Sequence, residues 1–296
     1  MARERHDPVT GQMTTGHEWN GIEELDTPIP RVALFFLVTT ALFALGYWIL
    51  MPAWPLGVTY TRGLLGFDQR EVVTRQVDDA AAARAGWAER VMALDDAEIE
   101  ADPALMEIVN EAGHALFGDN CAVCHGTAGT GGPGFPDLAA GAWLWGGDAG
   151  TIHETIRVGI NSGHDETRMS QMMAFGRDGV LERDAVRAVA AYVRSLSGQD
   201  LSTTEEARRG AGEEIFAENC ASCHGEDGTG MVDLGAPNLA DDVWIYGGDA
   251  QSVQASIHGG RQGHMPHWEG RLKPLDLKVL ALYVGSLGKD GTGGEE

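Results

Sequence analysis

Cys121 and Cys124 stand two residues apart with His125 directly after them, and Cys220, Cys223 and His224 repeat the arrangement. Two thiols at this spacing can each add to a vinyl group of haem, and the adjacent imidazole is then held over the porphyrin face to ligate iron. A four-cysteine zinc site is the competing chemistry. It fits poorly, because the second pair begins 96 residues after the first ends (124 to 220) and each pair brings its own histidine. A thioredoxin-like dithiol explains neither the histidine nor the duplication. The sequence therefore predicts two covalently attached c-type haems.

A sixth iron ligand is expected later in each copy. Gly263-His264-Met265-Pro266 offers Met265, with the proline stiffening its loop. In the first copy Met169, Met172 and Met173 compete. Aligning Met172-Met173-Ala174-Phe175 with Met265-Pro266-His267-Trp268 selects Met172 and implies an eight-residue insertion around Asn161–Arg168. A methionine is ordinarily a core filler, but these lie in polar, glycine-rich stretches. The axial set read from sequence is thus His125, His224, Met172 and Met265. A bis-histidine alternative would draw on His153 or His164 and on His258, His264 or His267. His/Met ligation raises the reduction potential and occupies both axial positions.

These residues sit in a duplicated framework. Asn120–Gly126 recurs as Asn219–Gly225, offset by 99 (121 to 220), and Trp143 and Gly146-Gly147-Asp148 recur as Trp244 and Gly247-Gly248-Asp249. The closing helices carry Val186, Val189, Val193 and Leu196 against Leu277, Leu280, Val284 and Leu287, a 3-4-3 spacing that lines one helix face. Two domains follow, 105–198 and 204–288. A tail at 289–296 is expected to be mobile, as chain ends commonly are.

Ahead of them, Val32–Met51 is twenty residues without a charge, about 30 Å as a helix and enough to cross a bilayer core. A cleavable signal would be shorter and nearer the start. Arg3, Arg5 and Arg31 before the span, against Arg62 and Arg70 after it, lean toward a cytoplasmic segment 1–31, an anchor 32–51 and a periplasmic linker 52–104. Within that linker Val73, Val77, Ala80, Trp87, Val91 and Leu94 form an amphipathic stripe broken at Arg84. The fold class is all-α, one transmembrane helix followed by tandem cytochrome c domains. With 21 basic and 44 acidic residues the net charge is −23. That excludes a nucleic-acid partner and favours steering of a basic one.

The whole pattern resembles a known family, the dihaem c subunit (CcoP or FixP) of cbb3-type cytochrome c oxidases. The resemblance rests on Gly16-His17-Glu18-Trp19-Asn20-Gly21-Ile22-Glu23-Glu24-Leu25-Asp26, the anchor, Gly63-Leu64-Leu65-Gly66-Phe67 and both haem units. It implies a bacterial inner-membrane subunit without catalytic chemistry of its own. Such a subunit relays electrons from a donor cytochrome c with a basic face, alongside a monohaem c subunit, toward a haem–copper oxygen-reducing subunit. It also implies that the carbonyls of Pro136 and Pro237 orient the two histidines and that Trp143 and Trp244 donate to haem propionates. The Gly113/Phe117 helix is expected to cross the Tyr192 helix, and the Gly212/Phe216 helix the Tyr283 helix. One His/Met pair per sequential domain is the simple expectation; an exchange of methionines stays open. A dihaem peroxidase and a cytochrome subunit of a periplasmic dehydrogenase are the rival readings.

Overall fold

The computed structural model describes residues 5–291. It contains two compact units, one ending at Ala83 and the other beginning at Arg84. The Arg3 used for orientation and the tail beyond residue 291 lie outside the described residues.

The first unit begins with a small antiparallel hairpin, β1 (Thr14–Trp19) and β2 (Ile22–Leu25). Asn20 and Gly21 both have positive φ, 53° and 87°, as a tight two-residue hairpin turn requires. The Trp19 indole N–H donates to Glu24 at 3.0 Å. The most distinctive motif of the N-terminal segment is therefore a short hairpin in a chain that is otherwise mostly helical. The Asn-Gly pair was the signal for it. Helix α1 (Arg31–Leu50) follows, with none of its side chains buried within the protein. It is long and apolar enough to cross a membrane. Its last carbonyls are met by the Gly63 motif: the Leu64 and Leu65 N–H groups donate to Ile49 O (2.9 Å) and Leu50 O (3.1 Å). Gly63, at φ +68°, sits where a Cβ would overlap the Leu50 carbonyl.

Helix α2 (Gln69–Ala93) carries the predicted stripe, but only its end is covered. Val73 and Val77 are exposed, whereas Val91 is buried with Ile99, Leu105, Val109, Val279 and Leu282. The helices after it are α3 (Asp96–Glu100), α4 (Pro103–Asn120), the single turn α5 (Ala122–His125), α6 (Ala149–Val158) and α7 (Arg183–Leu196). The second half repeats them as α8 (Thr203–Asn219), α9 (Ala221–His224), α10 (Ala250–Gly259) and α11 (Pro274–Gly291). Residues 289–291, expected in a mobile tail, continue α11. Side-chain caps start most of these helices: Asp102, Asp148, Ser202 and Asp249 each accept from backbone N–H groups one turn on.

The helix partners correct the expected crossings. Helix α4 packs on α11, and α8 packs on α7. A Cβ on Gly113 of α4 would overlap Tyr283, and one on Gly212 of α8 would overlap the Ala188 carbonyl beside Tyr192. Phe117 lies edge-on to Tyr283 at 5.7 Å, and Phe216 lies 5.2 Å from Tyr192. Each repeat thus gives its closing helix to the other. The physical reason lies in the short connection 197–202. Arg194 of α7 donates to Glu205 of α8 and to the carbonyls of Asp200 and Gly248, which clamps α7 and α8 into a hairpin. On the other side Lys278 of α11 reaches the Leu94 carbonyl at 2.6 Å, so the α2–α3 corner holds α11 against α4.

Gly113 and Gly118 share α4 but face different surroundings, Tyr283 and open space. Gly113→Ala is expected to destabilise by about 1–3 kcal/mol through overpacking, whereas Gly118→Ala does not lower stability. Thermal melting of the two variants side by side checks this.

Candidate haem-binding sites

Helix α4 ends at its first cysteine. The Cys121 N–H still donates to Phe117 O at 2.8 Å, but its φ of −114° takes the chain off the helix. One further turn then presents Cys124 and His125, and Gly126, at φ +76°, stops it. The second copy is built alike from Phe216 O to Gly225. Beyond the turn the Gly131 N–H donates back to His125 O (2.8 Å), and the Gly230 N–H to His224 O (2.8 Å). Both glycines have positive φ and lie against the backbone that returns after them. An added Cβ would sit 2.5 Å from Phe135 O in one copy and 2.6 Å from Ala236 O in the other.

That close return brings a proline carbonyl to each histidine. The Nδ1 atoms of His125 and His224 lie 3.1 Å from Pro136 O and 3.0 Å from Pro237 O. A carbonyl only accepts, so Nδ1 carries the proton and Nε2 keeps its lone pair. Burial holds both imidazoles below the usual histidine range, against the opposing effect of that hydrogen bond. Each is therefore a neutral ring with one fixed tautomer, the form a metal accepts. Burial also pushes the Cys121 and Cys220 thiols up to about 11, with the paired thiols Cys124 and Cys223 adding to it.

The methionines settle into opposite halves. Met265 packs in the cluster of Phe117, Leu280 and Tyr283 that also takes in Cys121 and Ala122. Met172 packs with Val189, Val193 and Phe216 alongside Cys220 and Ala221. Of the competitors, Met169 is 70% and Met173 57% exposed, and neither joins a core. Short backbone ladders hold the exchanged segments. Ile160 pairs with Met265 through two bonds of 2.9 Å, and Met172 pairs with Arg261 through bonds of 2.8 and 3.2 Å. Gly159 and Gly260 lie at these crossings with φ near +70°, and a Cβ on either would overlap the methionine carbonyl facing it. Asn161 ties the two methionine segments together. Its side-chain N–H groups donate to Gly263 O (2.7 Å) and Ser170 O (2.8 Å), and its carbonyl accepts from His264 (2.9 Å).

The other histidines are placed differently. His164 lies 2.7 Å from Glu269 through Nε2, and its Nδ1 accepts from the Glu166 N–H at 3.0 Å, so both ring nitrogens are engaged. Nearby Arg157 bridges Glu154, Glu166 and Glu269. His258 packs against Gly176. Trp143 is wedged against Gly147 and Gly288, and its counterpart Trp244 lies against Gly248. The Trp244 indole N–H is buried and has no hydrogen-bond partner. A buried donor left without an acceptor fits a ligand that brings an acceptor of its own.

Three family models match this chain in order. The N-terminal domain of cytochrome oxidase-cbb3, FixP, matches residues 11–58, cytochrome c matches 110–197, and cytochrome c oxidase, cbb3-type, subunit III matches 207–284. A cbb3-type cytochrome c oxidase subunit FixP from Bradyrhizobium diazoefficiens is 47% identical, over 95% of this chain and 97% of its own length. The chain belongs to the FixP/CcoP family. Other members are a subunit CcoP from Cereibacter sphaeroides, 45% identical over 93% of this chain and 94% of its own, and one from Azospirillum brasilense, 40% identical over 97% and 99%. Members of the FixP/CcoP family are electron-transfer subunits of an oxidase complex, and the two cytochrome c domains imply binding of c-type haem. The cytochrome models follow the chain, so each contains one cysteine pair and one of the two methionines. The exchange in space is invisible to them. The residues present fit the group: four thiols in two pairs, two histidines with a free Nε2, two packed methionine sulfurs and an orphaned indole donor.

The histidine–proline contact gives a direct test. Gly131→Ala drives a Cβ into the Phe135 carbonyl at a positive φ, a conflict on the order of 1–3 kcal/mol. Nitrogen-15 NMR of His125 should then show loss of its single protonated-Nδ1 tautomer, while His224 keeps its own.

Proposed function

We propose that the chain carries two covalent haems, one on Cys121 and Cys124 with His125 and Met265 as axial ligands, the other on Cys220 and Cys223 with His224 and Met172. The packing of Met265 with Cys121 and of Met172 with Cys220 is the observation that carries this pairing. It departs from one ligand pair per sequential domain and takes the exchange that the sequence left open. The carbonyls of Pro136 and Pro237 hold the imidazoles upright, and Trp143 and Trp244 are the donors to the haem propionates.

Haem bound in this way supplies a reversible one-electron couple. The chain's residues tune and protect it. His125 with Met265, and His224 with Met172, would hold the iron of each haem, and two such protein ligands would leave no open position for oxygen or peroxide. Thioether ligation also raises the potential relative to two nitrogen ligands. Phe117 and Tyr283 on one side, and Phe216 and Tyr192 on the other, enclose the iron ligands in apolar surroundings, which keeps solvent reorganisation on electron transfer small. The chain performs no bond chemistry. It accepts single electrons from a donor cytochrome c and passes them toward the haem–copper subunit that reduces oxygen, with a monohaem c subunit in the same complex. Helix α1 anchors it in the inner membrane of a bacterium, N-terminus in the cytoplasm and haem units in the periplasm. Residues 52–296 hold 18 basic and 38 acidic residues, −20 of the total charge, and this field draws in a donor with a basic face.

Two experiments test the reading. In a Cys220→Ser/Cys223→Ser chain, which keeps only the first haem, Met265→Ala should abolish the near-infrared sulfur-to-iron band and Met172→Ala should leave it. The opposite outcome restores sequential pairing. Stopped-flow reduction by a basic cytochrome c should slow several-fold as salt rises from 20 to 200 mM, since roughly 10 Å of screening length at 0.1 M removes the steering field. A rate insensitive to salt contradicts the donor assignment.

A further inference from the structure

In a chain with twice as many acidic as basic residues, many arginines find a carboxylate. Arg5, Arg62, Arg90, Arg157, Arg177, Arg187, Arg194 and Arg209 all form ion pairs. Arg168 and Arg261 are half-buried and, among the described residues, form none. Each instead lies over an aromatic ring, Arg168 at 5.0 Å from the centre of Trp145 and Arg261 at 4.1 Å from that of Tyr246.

Trp145 and Tyr246 are equivalent in the repeat, each two residues beyond the paired tryptophans Trp143 and Trp244. The arginines are not equivalent. By the offset of 101 that relates Trp145 to Tyr246, Arg261 corresponds to Ile160. The first half recovers the cation by a different route. The inserted loop returns so that Arg168 runs parallel to Ile160, its N–H donating to Gly159 O at 3.1 Å and its carbonyl accepting from Asn161 at 2.8 Å. Its guanidinium then reaches Thr151 O of α6, while that of Arg261 donates to Ser256 of α10 at 2.9 Å. Two unrelated stretches of chain thus bring a guanidinium to the same place in each half. In each half the arginine lies beside the segment holding the methionine: Ile160 pairs with Met265, and Arg261 itself pairs with Met172.

The buried donors without acceptors point the same way. Among the described residues only two buried side-chain polar atoms have no hydrogen-bond partner, Arg168 Nε in the first half and Trp244 Nε1 in the second. Both are donors. A half-buried cation in one half and an unpaired indole in the other each call for an acceptor that the polypeptide does not provide.

We propose that Arg168 and Arg261 are the counter-ions of haem propionates, Arg168 for the haem on Cys121 and Cys124 and Arg261 for the haem on Cys220 and Cys223. This rests on the two-haem reading above. The cations compensate propionate charge inside the protein, which favours the reduced, less positive iron and sustains both potentials.

The test is potentiometric titration of the haem-loaded, full-length chain in detergent, with Arg168→Gln, Arg168→Lys, Arg261→Gln and Arg261→Lys. Arg168→Gln should shift one haem about tenfold toward the ferric state at fixed potential, ~59 mV for a one-electron couple, and leave the other haem in place. Arg261→Gln should shift the other haem instead. The lysine variants, which keep the charge, should restore most of each shift. If Arg168→Gln does not accumulate, Arg168→Met keeps the stack on Trp145 without the charge and carries the same test. Unchanged potentials in both neutral variants, or equal shifts in the glutamine and lysine variants, overturn the proposal. A wild-type chain that sheds its colour in acid–acetone defeats the haem reading itself, which is a separate failure.

Discussion

Close approach of two helices at a glycine is the constraint on which the rest of the second unit depends. Gly113 lets α4 touch Tyr283 of α11, and Gly212 lets α8 touch Ala188 of α7. Each crossing fixes where the end of the first helix points, and that end carries the cysteines and histidine. The second helix of each pair follows directly from a methionine segment. A crossing between α4 and α11 therefore also brings the Met265 segment to the end of α4, where it packs with Cys121. The backbone ladders at Ile160–Met265 and Met172–Arg261 then bind the two halves at the point where their chains change over.

The chemistry was plain in the sequence because it is carried by contiguous residues. Cys121 to His125 and Cys220 to His224 form single helical turns, and the Pro136 and Pro237 carbonyls lie where the family resemblance put them. Met172 packs against a core while Met169 and Met173 are exposed. The helix partners were not legible, for a physical reason. Both crossings use the same parts, a glycine, a phenylalanine and a tyrosine, so either pairing satisfies the local packing. What decides between them is long-range: the Arg194–Glu205 clamp, and Lys278 reaching the Leu94 carbonyl. The hairpin of Thr14–Trp19 and Ile22–Leu25 is hard to read in the sequence because its acidic residues mask strand alternation, although Asn20-Gly21 announces the turn. The apolar stripe along α2 is covered only at its end, where Val91 is buried.

Charge is distributed to serve two demands. The chain is heavily acidic overall, with 44 acidic against 21 basic residues. The interior around the two pockets is instead supplied with donors: histidine N–H groups committed to proline carbonyls, indoles, and two guanidiniums without carboxylate partners. Local capping follows the same economy, with Asp and Ser at the helix starts satisfying N–H groups that would otherwise need water.

The exchange of closing helices can be measured directly by cutting the chain between α7 and α8. A protease site placed within 198–202 of the haem-loaded protein, followed by cleavage and size-exclusion chromatography, separates the two possibilities. The exchanged fold predicts that the fragments elute together with the sulfur-to-iron bands of both haems intact, and that separating them in denaturant abolishes both. Fragments that part under native conditions, each keeping its own sulfur-ligated haem, would contradict it.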